Sequence, residues 1–456
     1  MNDYKLNAVF EKRKWVGITG LCNNHCIFCL DGNHLRPDYR TINEVEKDII
    51  AGIEEGCTRL ILSGGEATIH PEFLKIIELS KNHGYNRVQT ITNGRMFSDV
   101  TFLNKAVKAG LSEITFSIHG HNSKLHNEIT QTRGSFIQTI KGIRNALKAN
   151  IIVNCDVVLS KKNITHLPEI MRFLIKLGIK EYDLLHIMPY GYAWENRDDL
   201  LIDPKKYLNY YREAFEIGIK NQVVMWTNRL PAQCLEGYEN LIQDPYKLLD
   251  EINGREKSFN KSLAKNKRLD CYGDRCYYCC MQGLCDYVYE SYKLFQSNRI
   301  ITQDYDADEK IIINKKNFDK IVNRLESVNN KPTILEFPAP YHNYKEYGPD
   351  ILNMKEFATI INNSTASIND NFKFKNMPKC LFKKEVRKQI VQNNKFETLY
   401  FPKDKDFNLY DCAKKYIGYL KIKSIRCKNC IYDNSCEGVF QKYIMIYGFN
   451  ELEPVK

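Results

Sequence analysis

Three cysteines stand within eight residues near the start of the chain, Cys22, Cys26 and Cys29 in "GLCNNHCIFCLDG" (19–31). Thiolates at this density are soft ligands that select iron–sulfur clusters or zinc. A structural zinc or a closed cluster takes four protein ligands, and here the fourth is missing. The next cysteine is Cys57, and His25 sits inside the loop between ligands, where the geometry is awkward. Three thiolates on a four-iron cube leave one iron with an open coordination position, the place where a substrate or cofactor binds.

Two more trios lie far downstream. Cys276, Cys279 and Cys285 are separated by gaps of two and five residues, and Cys427, Cys430 and Cys436 repeat those gaps. Each trio has a candidate fourth ligand upstream: Cys271 for the first, Cys380 or Cys412 for the second. The alternatives are zinc knuckles, or a single site built from the CxxC of each trio. Cys57, Cys155, Cys234, Cys280 and Cys412 remain, and most read as packing thiols. Cys234, in "NRLPAQCLEGY", is also a candidate catalytic thiol.

The elements that must position these groups alternate. β-rich runs at 15–20, 59–65, 87–94, 113–120, 154–160 and 182–189 are separated by amphipathic helical stretches such as 42–56 and 135–150. In the first of these helices Ile42, Val45, Ile49, Ile50 and Ile53 share one face. Strand–helix alternation predicts a parallel sheet covered by helices, and six units suggest a partial (β/α)6 TIM-like barrel. "VVMWTN" (223–228) can add a strand. Chemistry in such folds gathers on the loops after the strands. The cysteine triplet follows the first strand, Gly64-Gly65 ends the second, "TNG" (92–94) the third and "SIHG" (117–120) the fourth. His186 and Tyr190, in "LLHIMPYGY", fall at the end of the sixth and are candidates to contact substrate or donate a proton. The expected organisation is a barrel over 1–228 and a cysteine-rich segment over 229–295. A mixed α/β middle region over 296–375, with a helix at 354–363, and a cysteine-rich end over 376–456 complete it.

The CxxxCxxC spacing, with Phe28 before the last cysteine, resembles the signature of radical S-adenosylmethionine (SAM) enzymes, and the likeness covers roughly residues 10–225. "SGGEAT" (63–68) is similar to that family's Gly-Gly-Glu motif. The resemblance implies a [4Fe-4S] cluster on Cys22, Cys26 and Cys29 whose open iron chelates SAM. Gly64, Gly65 and Glu66 would hold the methionine amino group, Phe28 would lie against the adenine, and Ser117 and Asn93 would line the same pocket. It also implies reductive cleavage of SAM to a 5′-deoxyadenosyl radical that abstracts a substrate hydrogen. The sequence departs from many relatives at His119, where they carry aspartate, and at Thr130, where an arginine is common; Arg133 lies nearby.

The tail resembles SPASM and twitch extensions, which hold auxiliary four-iron clusters. By that likeness Cys271, Cys276, Cys279 and Cys285 would hold one, and Cys380, Cys427, Cys430 and Cys436 the other, with Cys412 able to replace Cys380. SPASM-type relatives modify peptides. Only 21 residues precede Cys22, so a leader-binding or cobalamin-binding domain is not expected there, and a small-molecule substrate rivals a peptide. An electron donor such as flavodoxin or ferredoxin is the further implied partner. The class-level alternative is a non-enzymatic iron–sulfur or zinc protein that carries electrons or scaffolds partners.

Composition bounds the rest. Sixteen cysteines in a chain whose first residues resemble no secretory signal point to a reducing, cytoplasmic setting. No apolar run approaches the roughly 18–20 residues of a membrane span. The net charge of +11 arises from scattered lysines, which argues against a nucleic-acid partner. The one basic run, 254–268, reads as a solvated helix face.

Overall fold

The computed structural model describes residues 11–32, 38–297, 309–326, 331–340, 351–363, 371–391 and 406–456. Parts of the expected middle region, and the first ten residues, lie outside these. Two compact units make up the chain, Met1–Leu230 and Pro231–Lys456.

The first unit is built on one parallel sheet whose strands follow sequence order. These are β1 (Arg13–Thr19), β2 (Arg59–Gly64), β3 (Arg87–Thr92), β4 (Glu113–Ser117), β5 (Ile152–Leu159), β6 (Glu181–His186) and β7 (Val224–Asn228). The partial TIM-like barrel is therefore present, and the run at 223–228 extends its sheet from six strands to seven. Its connecting helices include α1 (Ile42–Glu54), α2 (Phe73–Asn82), α3 (Val100–Ala109), α4 (Ser123–Thr130), α5 (Ser135–Lys148), α6 (Leu167–Lys176), the single turn α7 (Tyr192–Glu195) and α8 (Leu208–Lys220).

Local chemistry sets these boundaries. A capping box starts α1: the Thr41 hydroxyl accepts from the Glu44 N–H at 3.3 Å, and the Glu44 carboxylate accepts from the Thr41 N–H at 2.9 Å. Gly110, at φ 114°, ends α3 in the left-handed region that glycine enters without a Cβ penalty. Only part of the expected apolar face of α1 turns inward: Val45 and Ile49 are buried, whereas Ile50 is exposed.

The strands alternate as a covered sheet must. In β5, Val153, Cys155, Val157 and Leu159 are buried, while Asn154, Asp156 and Val158 alternate with them on the other face. The apolar face carries the core, where Phe116 meets Phe97 at 6.2 Å between ring centres. The opposite face is polar. Gln89 donates to Thr115 at 2.6 Å, Asn154 donates to Glu113 at 2.7 Å, and Arg87 pairs with Glu113 at 2.5 Å. This knot lies toward the N-terminal ends of the strands, the end that serves stability rather than chemistry.

The second unit holds a smaller parallel sheet in the order β11-β10-β9-β8, from β8 (Glu309–Ile312), β9 (Thr333–Glu336), β10 (Phe372–Lys375) and β11 (Ile390–Val391). A two-stranded antiparallel ribbon, β12 (Lys421–Ile422) and β13 (Val439–Phe440), completes its strands among the described residues. Its helices include α9 (Leu248–Ala264), α10 (Gln282–Gln296), α11 (Phe318–Glu326), α12 (Met354–Asn363), α13 (Leu409–Gly418) and α14 (Gln441–Tyr447). The basic run at 254–268 begins within α9, which buries Phe259 and Leu263 and leaves its lysines in solvent. Among the described residues no helix is long and apolar enough to cross a membrane.

Candidate SAM and cluster site

The loop from Gly20 to Gly32 leaves β1 without regular secondary structure, so its shape must come from neighbours. Four elements supply it. From the end of β2, the Gly65 and Glu66 N–H groups donate to the Thr19 and Leu21 carbonyls at 2.7 and 2.8 Å. A Cβ on Gly65 would stand 2.7 Å from the Gly20 carbonyl oxygen and closer still to that of Leu21, so glycine is needed for this approach. Gly64 adopts φ 125° beside Thr19. From the end of β3, Asn93 Nδ2 donates to Asn23 Oδ1 at 2.6 Å, and Arg95 Nη1 donates to the Asn23 carbonyl and, at 3.2 Å, to Asn24 Oδ1. The end of α4 accepts from the loop, as His25 and Ile27 N–H reach the Thr130 and Ile129 carbonyls at 3.0 Å each. From the loop after β6, the Tyr192 N–H meets the Cys29 carbonyl at 3.0 Å and Asn196 Nδ2 the Ile27 carbonyl at 3.1 Å.

Cys22, Cys26 and Cys29 come together within this frame. Burial pushes the Cys22 thiol up to about 11, and at Cys26 burial and then the charges of Cys22 and Cys29 push further the same way. The Asn24 N–H points at Cys22 Sγ from 3.4 Å, the kind of contact that favours a thiolate. Three neighbouring thiols, Cys22 exposed and Cys26 and Cys29 half-buried, suit a positively charged iron core, which binds all three as thiolates. His25 is exposed.

Glu66 is almost wholly buried. Its carboxylate accepts from the Thr68 N–H at 3.2 Å, the Thr68 hydroxyl, the Thr92 hydroxyl at 2.6 Å and the Asn93 N–H at 2.7 Å. Burial raises its pKa, against the pull of these donors. The carboxylate thus ties the end of β2 to the end of β3. Phe28 packs edge-to-face on His119 at 4.6 Å. Burial holds His119 well below the ordinary histidine range, and its Nδ1 accepts from the Val158 N–H at 3.3 Å. In place of a carboxylate the chain therefore presents a neutral ring, stacked at 5.9 Å on His126. Ser117 ends β4, half-buried. Thr130 uses its hydroxyl on the His126 carbonyl at 3.0 Å and on Ser135 at 2.8 Å, and Arg133 is exposed.

The sixth-strand candidates separate. His186 belongs to the buried alternation of β6 with Tyr182 and Leu184, so its ring turns to the helix-covered face and not to the polar one. Its Nδ1 is buried without a hydrogen-bond partner, and burial lowers its pKa to about 4. The sequence places His186 at the end of β6, and there the ring is buried. Tyr190 is half-buried in the loop that follows. Cys234 is buried in the second unit, in the turn Ala232–Leu235.

In the second unit the downstream cysteines form two associations. Burial raises Cys285, pushed further by the charges of Cys279, Cys271 and Cys276. Burial pushes Cys380 up to about 12, with added pressure from Cys436, Cys427 and Cys430. Cys412 stands apart, buried within the helices, and burial pushes its thiol up to about 12. Backbone N–H groups aim at these sulfurs too, from Gly273 to Cys276 at 3.5 Å, from Tyr432 and Val455 to Cys430 at 3.4 Å, and from Gly438 to Cys436 at 3.4 Å. No three His, Cys, Asp or Glu side chains among the described residues converge closely enough to grip one metal ion.

The sequence profile of the radical SAM superfamily matches residues 16–174. A protein of Sulfurisphaera tokodaii named probable GTP 3',8-cyclase is 30% identical over 232 residues, covering 50% of this chain and 73% of that one. The chain belongs to the radical SAM superfamily. Similarly named proteins of Saccharolobus islandicus are 26% identical over 215 residues, spanning 46% of this chain and 66% of theirs. Among solved structures, Streptococcus suis SuiB bound to S-adenosylmethionine aligns with a TM-score of 0.43 at 15% identity, covering 60% of each chain. The anSMEcpe structure with bound SAM gives 0.39 at 17% identity, covering 47% of this chain and 61% of that one. Membership of that superfamily implies a [4Fe-4S] cluster and S-adenosylmethionine as the cofactors of this enzyme.

Sequence reasoning missed Arg95, Asn23, Asn163 and Asn196. Asn163 Nδ2 donates to the His119 carbonyl at 3.0 Å and so secures the "SIHG" turn. The only cue for Arg95 was its place two residues after Asn93 at a strand end.

Proposed function

We propose that this enzyme carries out an oxidative, hydrogen-abstracting modification of a peptide or small metabolite, served by two auxiliary clusters in its second unit. What supports this reading is the repeated cysteine spacing in that unit together with the mutual charge influence within two sets, Cys271, Cys276, Cys279 and Cys285, and Cys380, Cys427, Cys430 and Cys436. A site with four protein ligands has no position for substrate, so its chemistry is that of an electron store. An acceptor of that kind suits a reaction in which the substrate loses a hydrogen atom and then an electron and a proton.

At the first site, Cys22, Cys26 and Cys29 would hold the cluster. When bound, the cluster supplies the electron that cleaves S-adenosylmethionine to the hydrogen-abstracting radical. The polypeptide's part is placement. The Gly64–Gly65 approach and the Glu66 tie fix the rim where the methionine end would sit. Phe28, braced by His119, would offer an apolar face to the adenine, with Asn93 and Ser117 lining the same mouth. Fixing these groups matters because displacement by about an ångström is costly in rate.

A second reading takes its support from the 30% identity to a protein named probable GTP 3',8-cyclase: a nucleoside triphosphate substrate. Anaerobic reconstitution separates the readings. About twelve irons per chain, and 5′-deoxyadenosine release on adding reductant and SAM, are expected. Stoichiometric coupling of that release to consumption of GTP would favour the nucleotide reading. About four irons per chain, all lost in a Cys22→Ala variant, would end the auxiliary-cluster proposal. An intact pool of SAM under reducing conditions would end the mechanistic one.

A further inference from the structure

The cluster loop receives β2, β3 and α4 on the stretch Thr19–Ile27, which leaves its last cysteine outside their hold. Cys29 has its own N–H on the Cys26 carbonyl at 3.1 Å, a contact internal to the loop. Among the described residues, the hydrogen-bonded grip on Cys29 from elsewhere in the chain comes from the segment after β6. There the Tyr192 N–H meets the Cys29 carbonyl at 3.0 Å. Asn196 Nδ2 spans from the Ile27 carbonyl at 3.1 Å to the Tyr192 carbonyl at 3.0 Å, closing the turn onto the loop. Gly191 makes the approach feasible. Its backbone takes φ 51°, ψ −135°, and a Cβ would meet the carbonyl oxygens of Cys29, at 2.5 Å, and of Leu30. The Tyr192 ring covers Gly32, where an added Cβ would come within 3.1 Å of it.

We propose that Gly191, Tyr192 and Asn196 form a positioning clamp that sets Cys29, and with it the cluster, in register with the rim of β6. The clamp rests on the reading of Cys22, Cys26 and Cys29 as the cluster ligands. It would make the sixth strand a shared ruler, since the same short segment carries Tyr190 at the rim and fixes the third thiolate. Asn196 is a positioning residue that acts through two carbonyls.

The test is anaerobic reconstitution of the full chain carrying Asn196→Ala, Asn196→Asp, Asn196→Gln or Gly191→Ala. In Asn196→Ala the cluster should still assemble, because Cys22 and Cys26 keep their other supports. The change that SAM induces in the electron paramagnetic resonance spectrum of the reduced cluster should weaken, and 5′-deoxyadenosine release should slow by about tenfold. Asn196→Asp, which loses the amide donor, should match it, and Asn196→Gln should recover part of both signals. Gly191→Ala should lose iron as well. An Asn196→Ala protein with a lower melting temperature but an unaltered SAM-dependent spectrum and cleavage rate would overturn the clamp. A Cys29→Ala chain that keeps a SAM-responsive cluster would instead overturn the ligand reading on which it stands.

Discussion

Cys380 and Cys412 offer the sharpest discrimination, because the sequence allows either to complete the last quartet and the structure treats them differently. Cys380 lies in the turn Lys379–Leu381 just beyond β10, so the smaller parallel sheet delivers it at a strand end. The turn is held independently of the thiol. Asn362 Nδ2 donates to the Leu381 carbonyl at 2.9 Å, and the Lys383 N–H donates to Asn362 Oδ1 at 2.9 Å. Cys380→Ala should therefore fold normally and lose one cluster, reducing iron from about twelve to about eight per chain. Cys412 is 1% exposed within α13. Removing its sulfur leaves a small cavity that costs on the order of 1 kcal/mol, with no iron lost. The assay is iron per chain and Mössbauer spectroscopy after anaerobic reconstitution, with thermal melting of the same samples. The two variants should behave in opposite ways: one stable and iron-poor, the other iron-replete and slightly less stable. An iron-poor Cys412→Ala beside an iron-replete Cys380→Ala would refute the assignment, and with it the use of mutual thiol electrostatics to group ligands.

Other expectations follow from the barrel. In Glu66→Gln, an amide group replaces an oxygen in a pocket where four donors converge, so at least one buried N–H or hydroxyl loses its acceptor. That costs about 1–3 kcal/mol, partly offset by no longer burying a charge, and should lower the denaturant midpoint; an unchanged midpoint would count against the tie between β2 and β3. Gly65→Ala drives a methyl into the Gly20 and Leu21 carbonyls and should remove the SAM-binding cluster selectively, visible as the loss of about four irons. Acid should weaken the fold through His126 and His186, both held down to about 4 by burial. Between that value and the ordinary 6.5 the unfolded chain binds protons that the folded one refuses, so stability falls as pH falls. From pH 6.5 to 5.5 the loss is about 1 kcal/mol per histidine. Urea midpoints across that range should drop, and His186→Leu should flatten the slope; an identical slope would show that the ring is not buried neutral.

The barrel was legible because strands and helices announce themselves by period. "NCDVVLS" has the β-branched, two-residue alternation of a covered strand, and β5 lies there. The cysteine triplet and glycine pair were legible because their chemistry demands those residue types. What escaped were partners whose work is a hydrogen bond to a distant carbonyl. Arg95 reaches a carbonyl 72 residues away, and Asn196 one 169 residues away. Neither residue type nor local spacing marks such a contact, which exists only after the sheet has set its neighbours. For His186 the sequence gives the strand end, whereas the burial of its ring follows from the alternation along β6.

The contrast between the thiol groups has a physical origin. In the tail, the N–H groups of Gly273, Tyr432 and Gly438 approach sulfurs only two or three residues away, and Val455 reaches Cys430 from 25 residues away. Much of the geometry there is encoded locally, which is why one pattern of gaps can recur in the same chain. The first triplet is shaped by strand ends 40 to 170 residues distant and has one local N–H contact of that kind, from Asn24. A local turn can close around a metal group by itself. A site with one position left for a nucleotide needs a frame that the metal does not organise, or the loop would relax to cover the vacancy with its own atoms. The barrel provides that frame, holding a three-cysteine loop open from four directions. Removing a single hydrogen bond from that frame, as in Asn196→Ala, should therefore disturb SAM binding before it disturbs iron binding, whereas a backbone clash at Gly65 or Gly191 should cost the iron too.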